Sequence, residues 1–377
     1  MLSFWERQAL LEYDAIIIGG GIVGLSAASA LKEKYPSMEV LLLERGLLPA
    51  GASTKNAGFA CFGSPTELLS DLQTLSEEEV VSLVAQRWDG LKALEARLGR
   101  DGIGLKNHGG YEVISPSEEY CLDRLEYLNQ LLHPIFQSEV YRQCDELLPE
   151  FGFGKGITHL VKNHFEAQID TGKMMKSLMG YANHLGVTLL TGCEVEELED
   201  QGGKVSVKAK GIDGWAFSAG QVGVCTNAFT PKLLGNRLPK ELNPGRGLVL
   251  ATAPIEGLPF QGVFHLDEGF FYFRNHGNRV LFGGGRNLDF EGEETTDFGT
   301  NPRIYRVLEE KLRTVILPNF ADIEITDVWS GVMGFGQDKQ PIEESLSPRL
   351  HLAVRLGGMG VAIGSRLGEG LADRMSG

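Results

Sequence analysis

The chain has 377 residues, 42% of them hydrophobic and 23% charged, which is ordinary for a globular, enzyme-sized protein of one large or two closely joined domains. Its 50 acidic and 35 basic residues give a formal net charge of -15, which repels phosphate backbones and anionic lipid surfaces and excludes nucleic acid as the expected partner. Cys61, Cys121, Cys144, Cys193 and Cys225 are scattered and never form C-x-x-C, so neither a metal site nor a disulfide framework is expected, and the compartment reads as reducing.

The opening stretch MLSFWERQALLEYD breaks its apolar residues with Glu6, Arg7, Glu12 and Asp14, unlike a signal peptide. No run approaches the ~20 apolar residues that span a bilayer, so a cytoplasmic location without a transmembrane segment is expected. From Asp14, DAIIIGGGIVGLSAASALKEKYPSMEVLLLER reads as strand, tight turn, helix and second strand, with Pro36 after the helix. G-x-G-x-x-G falls at Gly19, Gly21 and Gly24, with Ile22 and Val23 at the helix start. Gly19 permits the turn, Gly21 lets a pyrophosphate reach the helix N-terminus, and Gly24 lets helix approach strand. Glu44 closes the second strand, followed by Arg45, where a ribose hydroxyl is expected to meet the carboxylate. This βαβ unit predicts a dinucleotide site and leaves NAD and FAD both open. Small residues fill the next loop, GASTKNAGFACFG, where Ala52, Ser53, Asn56, Ala57, Gly58 and Phe59 offer backbone donors and short polar groups along the ligand.

Ser76 to Leu98 opens with a capping box, Ser76 and Glu79, and carries Val80, Val84, Trp88, Leu91, Leu94 and Leu98 on one face, predicting a surface helix packed on a core. Further on, Asp170 or Thr171 caps another helix that leads through Gly186 into a strand. Residues 193–225 read as short strands that include Val195 and end at Thr226 and Asn227, at a strand's carboxyl end, where ligands collect. Between residues 238 and 298, GRGLVLATAP, GVFHLDEGFFYFRN and NRVLFGGG form a β-rich run, and Asn301-Pro302 opens a helix. From Leu350, LHLAVRLGGMGVAIGSRLGEGLADRM repeats strand, glycine turn and helix around Gly357, Gly358, Met359, Gly360 and Val361. Two glycine-turn helices at opposite ends of the chain suit one long ligand bridging them, as FAD would.

These motifs together resemble the D-amino-acid oxidase family of FAD-dependent oxidoreductases, which includes glycine, sarcosine and gamma-glutamylputrescine oxidases. The resemblance rests on the G-x-G-x-x-G with Glu44, G-A-S-x-x-N-x-G at Gly51 to Gly58, Cys225 to Ala228 and the C-terminal stretch. It implies an α/β fold: a discontinuous FAD-binding Rossmann-like domain (residues 1–75, 150–235 and 326–377) with an inserted antiparallel β-rich substrate domain (76–149 and 236–325). It also implies that Ser53 and Asn56 help hold the diphosphate and flavin, that Val195 meets the adenine, and that the second helix directs its positive end at the flavin. The loop has no histidine and residues 333–337 no cysteine where some relatives attach flavin, so FAD is expected to be noncovalent.

WSGVMGFGQDKQPIE, which includes Gly331, matches the family segment returning to the cofactor domain, but Met333 stands where those oxidases place a carboxylate-binding arginine. Tyr272 and Arg274, two apart on one strand, are the expected phenol and replacement clamp, with Arg246 a second candidate. The histidines show no metal spacing or sequence-near acid, and no dedicated catalytic side chain is assigned. The expected reaction is oxidation of a C–N bond in a small amine or amino acid, with hydride passing to flavin N5 and the imine then hydrolysed. The alternatives are oxidation of 2-hydroxy acids on the same fold and an FAD-binding accessory subunit without turnover of its own. The electron acceptor, oxygen or a quinone, is left open.

Overall fold

In the computed structural model, which describes residues 2–377, the apolar run at residues 15–18 lies in the strand Glu12–Ile18. It pairs in parallel with Val40–Leu43 on one side and Phe217–Val224 on the other. Ala15 and Ile17 face one core cluster while Ile16 and Ile18 face another, so both faces of the strand are covered and its apolar run is continuous. The sheet runs Ile342–Ser347, Leu350–Val354, Phe217–Val224, Glu12–Ile18, Val40–Leu43, Thr188–Leu190, with Val205–Ala209 and Val195–Asp200 branching from Phe217–Val224. One face is packed by four helices, Ile22–Lys34, Glu77–Ile103, Thr171–His184 and Gly360–Ser376. Asp170 is the cap of the third, accepting from the Lys173 amide at 2.9 Å.

A second eight-stranded sheet runs Ile325–Phe335, Asn243–Thr252, Arg279–Gly284, Phe271–His276, Val263–Leu266, Gly110–Ile114, His159–Asn163, Tyr141–Gln143. Every neighbouring pair is antiparallel except Val263–Leu266 with Gly110–Ile114. Its buried face is an aromatic layer in which Phe264 and Phe273 stack at 4.6 Å, covered by the helix Pro302–Lys311 through Ile304 and Leu308. Burying such rings contributes the largest apolar area available to a sheet of this size.

The α/β fold of a Rossmann-like sheet with a second, largely antiparallel sheet is as the sequence implied. Sheet membership shifts some of the expected boundaries. His159–Asn163 and Ile325–Phe335 pair within the second sheet, although both touch segments assigned from sequence to the cofactor domain. The capping-box helix, assigned to the substrate domain, packs instead with the helices of the first sheet through Leu83, Leu91 and Leu94.

Candidate active site

A cavity of about 760 Å³ extends from the carboxyl ends of the first sheet's strands to the open face of the second sheet. Among the residues singled out from sequence, Gly24, Gly58, Arg246 and Arg274 do not line it, and the others do.

At the dinucleotide end, Gly19 adopts φ +110°, the left-handed side that glycine enters without strain. A Cβ on Gly24 would overlap the Gly19 carbonyl oxygen, so this glycine sets the approach of helix to strand. Glu44 is buried, and its carboxylate accepts from the amides of Gly20 at 2.8 Å, Gly46 at 2.9 Å and Ala50 at 3.3 Å. These amides fix the carboxylate on the cavity wall and leave it lone pairs for a hydroxyl pair. Arg45 lies with its Cζ 3.6 Å from the centre of the Phe229 ring. The helices Ile22–Lys34 and Gly360–Ser376 begin at Gly21 and Met359, and neither has a side-chain cap of its own. Both N-termini open on the cavity, a donor set that fits a long ligand with a central pyrophosphate.

The small-residue loop is held by its own polar groups. Ser53 Oγ accepts from the Ile22 amide at 3.0 Å, and a Cβ on Gly21 would come within 2.8 Å of it. Asn56 Nδ2 donates to the Ser53 carbonyl at 2.8 Å, while its Oδ1 accepts from the Gly58 amide at 2.9 Å and Thr171 Oγ1 at 2.8 Å. Both side chains line the cavity, but their polar atoms first brace the loop against the helices.

The second sheet closes the other end with Tyr272, Met333, Phe335 and Arg286. Tyr272 is edge-on to Phe59 at 5.5 Å, and burial pushes its phenol up to about 12. Neither arginine expected to clamp a substrate is free to do so. Arg274 is buried, with Nε donating to the Ala57 carbonyl and Nη1 to Gln168 Oε1 at 3.2 Å; it lies against Gly58, whose Cβ would come within 2.7 Å of Nη2. It is a brace between the second sheet and the small-residue loop. Arg246 is spent on Glu293 in a two-toothed ion pair, 2.8 and 2.9 Å.

Arg286 escaped the sequence reading. Gly284 and Gly285, at φ +116° and +79°, swing the chain off the strand end Arg279–Gly284 into the turn Arg286–Leu288. The guanidinium then sits 3.9 Å from the Phe335 ring centre and 4.9 Å from that of Phe290, with no hydrogen-bond or ion-pair partner among the described residues. The visible signal was an arginine directly after three glycines; what was invisible was that the two arginines preferred from sequence, Arg246 and Arg274, have partners.

The histidines were expected to stand apart from acids, and His265 does not. Its Nε2 is 3.2 Å from Glu166 Oε2, and Cys61 lies close enough that the three ligand-type atoms fall within 4.8 Å of one another. Glu166 comes from a distant segment, so no local spacing announced it. Burial lowers the His265 imidazole, but the Glu166 carboxylate, with Glu67 and Glu112, outweighs it and holds it up at about 9. Glu166 Oε1 also accepts from the amides of Phe62 at 3.1 Å and Gly63 at 3.3 Å, so the pair anchors the end of the small-residue loop.

A Rossmann-type dinucleotide end joined to an aromatic, cationic second-sheet end in one cavity defines a nucleotide-cofactor oxidoreductase of two-sheet architecture. Residues 14–374 match the FAD dependent oxidoreductase family, and the chain belongs to it. FAD is the cofactor of that family, and the open helix N-termini and Glu44 fit it. The chain is 22% identical to "Probable oxidoreductase OrdL" of Haemophilus influenzae over 97% of its own length and 83% of the relative's. Glycine oxidase from Geobacillus kaustophilus shares the fold at TM-score 0.78 and 20% identity, covering 97% of this chain and 95% of that one. Iminodiacetate oxidase from Chelativorans sp. BNC1 does so at TM-score 0.77 and 20% identity, covering 96% and 95%. No helix among the described residues is long and apolar enough to cross a membrane.

Proposed function

We propose that the protein oxidises a C–N bond of a small amine or amino acid, using noncovalently bound FAD. Its FAD half is proposed to be the first sheet with its four helices, and its substrate half the second sheet. Bound flavin supplies the hydride acceptor, and the chain supplies position, burial and charge. The proposed cofactor contacts are Gly19, Gly21 and Glu44 at the nucleotide end, Ser53 and Asn56 along the loop, and Gly357 to Val361 at the far end.

The observation that carries this reading is the state of the imidazole, the phenol and the thiol at the aromatic end. His265 is tied to Glu166 and held protonated, Tyr272 is pushed up to about 12, and burial raises the Cys61 thiol well above its ordinary value. None of these three is a base at neutral pH. An alcohol must give up its O–H proton to such a base as its carbon is oxidised, whereas an amine can shed its proton to water beforehand and react neutral. The names of the structural relatives, glycine oxidase and iminodiacetate oxidase, lie on the same side.

The test is the visible spectrum of the purified protein, followed without oxygen as D- and L-amino acids, N-methyl amino acids, polyamines and 2-hydroxy acids are added. Bleaching by one amine class supports the reading. Bleaching by 2-hydroxy acids alone replaces it with alcohol oxidation, and a flavin that nothing bleaches replaces it with an accessory subunit. Reoxidation by oxygen or by a soluble quinone then identifies the acceptor.

A further inference from the structure

In the ladder between Asn243–Thr252 and Ile325–Phe335, Met333 lies directly opposite Gly245. Because residue 245 has no side chain, there is an open place on the sheet surface beside Met333. A Cβ there would come within 2.5 Å of the Phe335 ring and 3.0 Å of Arg286 Nη1, so the ring and the guanidinium stacked on it share that place. Arg286 reaches it from the end of Arg279–Gly284, the neighbour of Asn243–Thr252 on its other side.

We propose that Arg286 anchors a carboxylate of the substrate, delivering from a neighbouring strand the cation that the Met333 position lacks. This rests on the reading of the cavity as a site for small amines and amino acids.

The remaining cations around the cavity sort themselves by partner. Arg87 donates to the Phe62 carbonyl at 2.7 Å, Lys232 pairs with Glu194 at 2.7 Å, and Lys339 pairs with Asp71. Arg355 is held by the Gln340 carbonyl at 2.8 Å, the Glu241 carbonyl at 3.0 Å and Asp338. Arg45 has no hydrogen-bond or ion-pair partner among the described residues, but it follows Glu44 at the nucleotide end. Nor does Lys55 have one among them, with Nζ 5.9 Å from the Phe298 ring centre, on a flexible stem that offers a point charge rather than a fork. Of the described cavity cations, Arg286 combines a planar fork, faces packed by two rings and N–H groups free of described partners at the second-sheet end. Stacking fixes the guanidinium without using its donors, which is the state in which a carboxylate forms two parallel bonds most readily. Two acids act on Arg286 from a distance, Glu294 and then Glu293; neither bonds its guanidinium among the described residues, and Glu293 is already bound by Arg246 and by Asn301 Nδ2 at 2.9 Å.

The experiment uses the FAD-loaded protein and needs no turnover. Benzoate and acetate, with neutral benzamide as control, are titrated against the flavin absorbance of the wild type, Arg286→Gln, Arg286→Lys and Lys55→Gln. The expected result is that carboxylate binding weakens tenfold or more in Arg286→Gln and less in Arg286→Lys. Benzamide binding and flavin content should stay unchanged. Met333→Arg combined with Arg286→Met should restore carboxylate binding, because both side chains serve the same place. A wild type that binds neither carboxylate, an Arg286→Gln variant that binds both as tightly as the wild type, or loss confined to Lys55→Gln overturns the assignment. Carboxylate binding that depends on Arg286 in a protein that bleaches only with 2-hydroxy acids keeps the anchor and removes the amine reading. Amine turnover indifferent to Arg286 does the reverse.

Discussion

Replacing Arg274 with methionine separates a clamp from a brace. The stem keeps its volume and the guanidinium goes, leaving the Ala57 carbonyl and Gln168 Oε1 without a donor recorded among the described residues. Each orphaned buried acceptor costs ~1–3 kcal/mol. Against this stands relief from burying a cation: burial lowers the guanidinium to about 10, well below its ordinary range, and a shift of that size corresponds to roughly 3 kcal/mol already spent in desolvation. The two orphans, the loosened contact with Gly58 and partial relief together leave a net loss of roughly 1–3 kcal/mol. The assay is thermal and urea unfolding in excess FAD, followed by flavin fluorescence and far-ultraviolet circular dichroism, beside steady-state kinetics on whichever substrate the screen identifies. The expected outcome is a lower melting temperature, faster FAD release and unchanged KM for a carboxylate substrate. Unchanged stability with a KM raised tenfold or more would refute the brace and return Arg274 to the substrate.

Gly24→Ala forces a methyl group against the Gly19 carbonyl, so the helix must move off the strand; the purified variant should be colourless, and a normal flavin content would contradict the packing argument. Glu44→Gln keeps the shape but removes the charge that three amides hold in place, and should weaken FAD binding by about tenfold or more, read by dialysis or fluorescence titration. His265 has its folded pKa raised to about 9 from 6.5, so its stabilisation is complete below pH 6.5 and is lost as pH rises through 9. Unfolding free energy should therefore fall across that window by up to ~1.4 kcal/mol per pH unit, and His265→Gln should flatten the slope. An identical slope in the variant assigns it to another group.

The parts of the molecule legible in the sequence are those whose physics is local. Gly24 answers to the nearby Gly19 carbonyl, Gly19 to its own positive φ and Gly21 to the helix it opens, and the capping box at Ser76 and Glu79 forms as its spacing dictates. Arginines are the opposite case. Whether Arg274, Arg246 or Arg286 is free depends on Ala57, Glu293 and Phe335, which lie 40 or more residues away from the arginine they meet, so spacing could rank none of them. The alternation on Phe271–His276 puts Tyr272 on the cavity wall, yet the same face carries Arg274 farther along and onto the loop of the other sheet. The domain edges failed for a related reason: Ile325–Phe335 leads back towards the cofactor sheet in sequence while its hydrogen bonds belong to the second sheet.

The first sheet draws its central strand from residues 12–18 and a flanking strand from residues 350–354, and the helix Gly360–Ser376 lies against Ile22–Lys34. During synthesis, therefore, the glycine turn at residues 19–24 waits for a wall that is made more than three hundred residues later. At ~5–20 residues per second, that interval lasts tens of seconds. Ile22, Leu25 and Leu31 are meanwhile without part of their eventual cover, a window in which chaperones have apolar surface to hold. Because the cavity is lined from both of these segments, capture of FAD is then a late event.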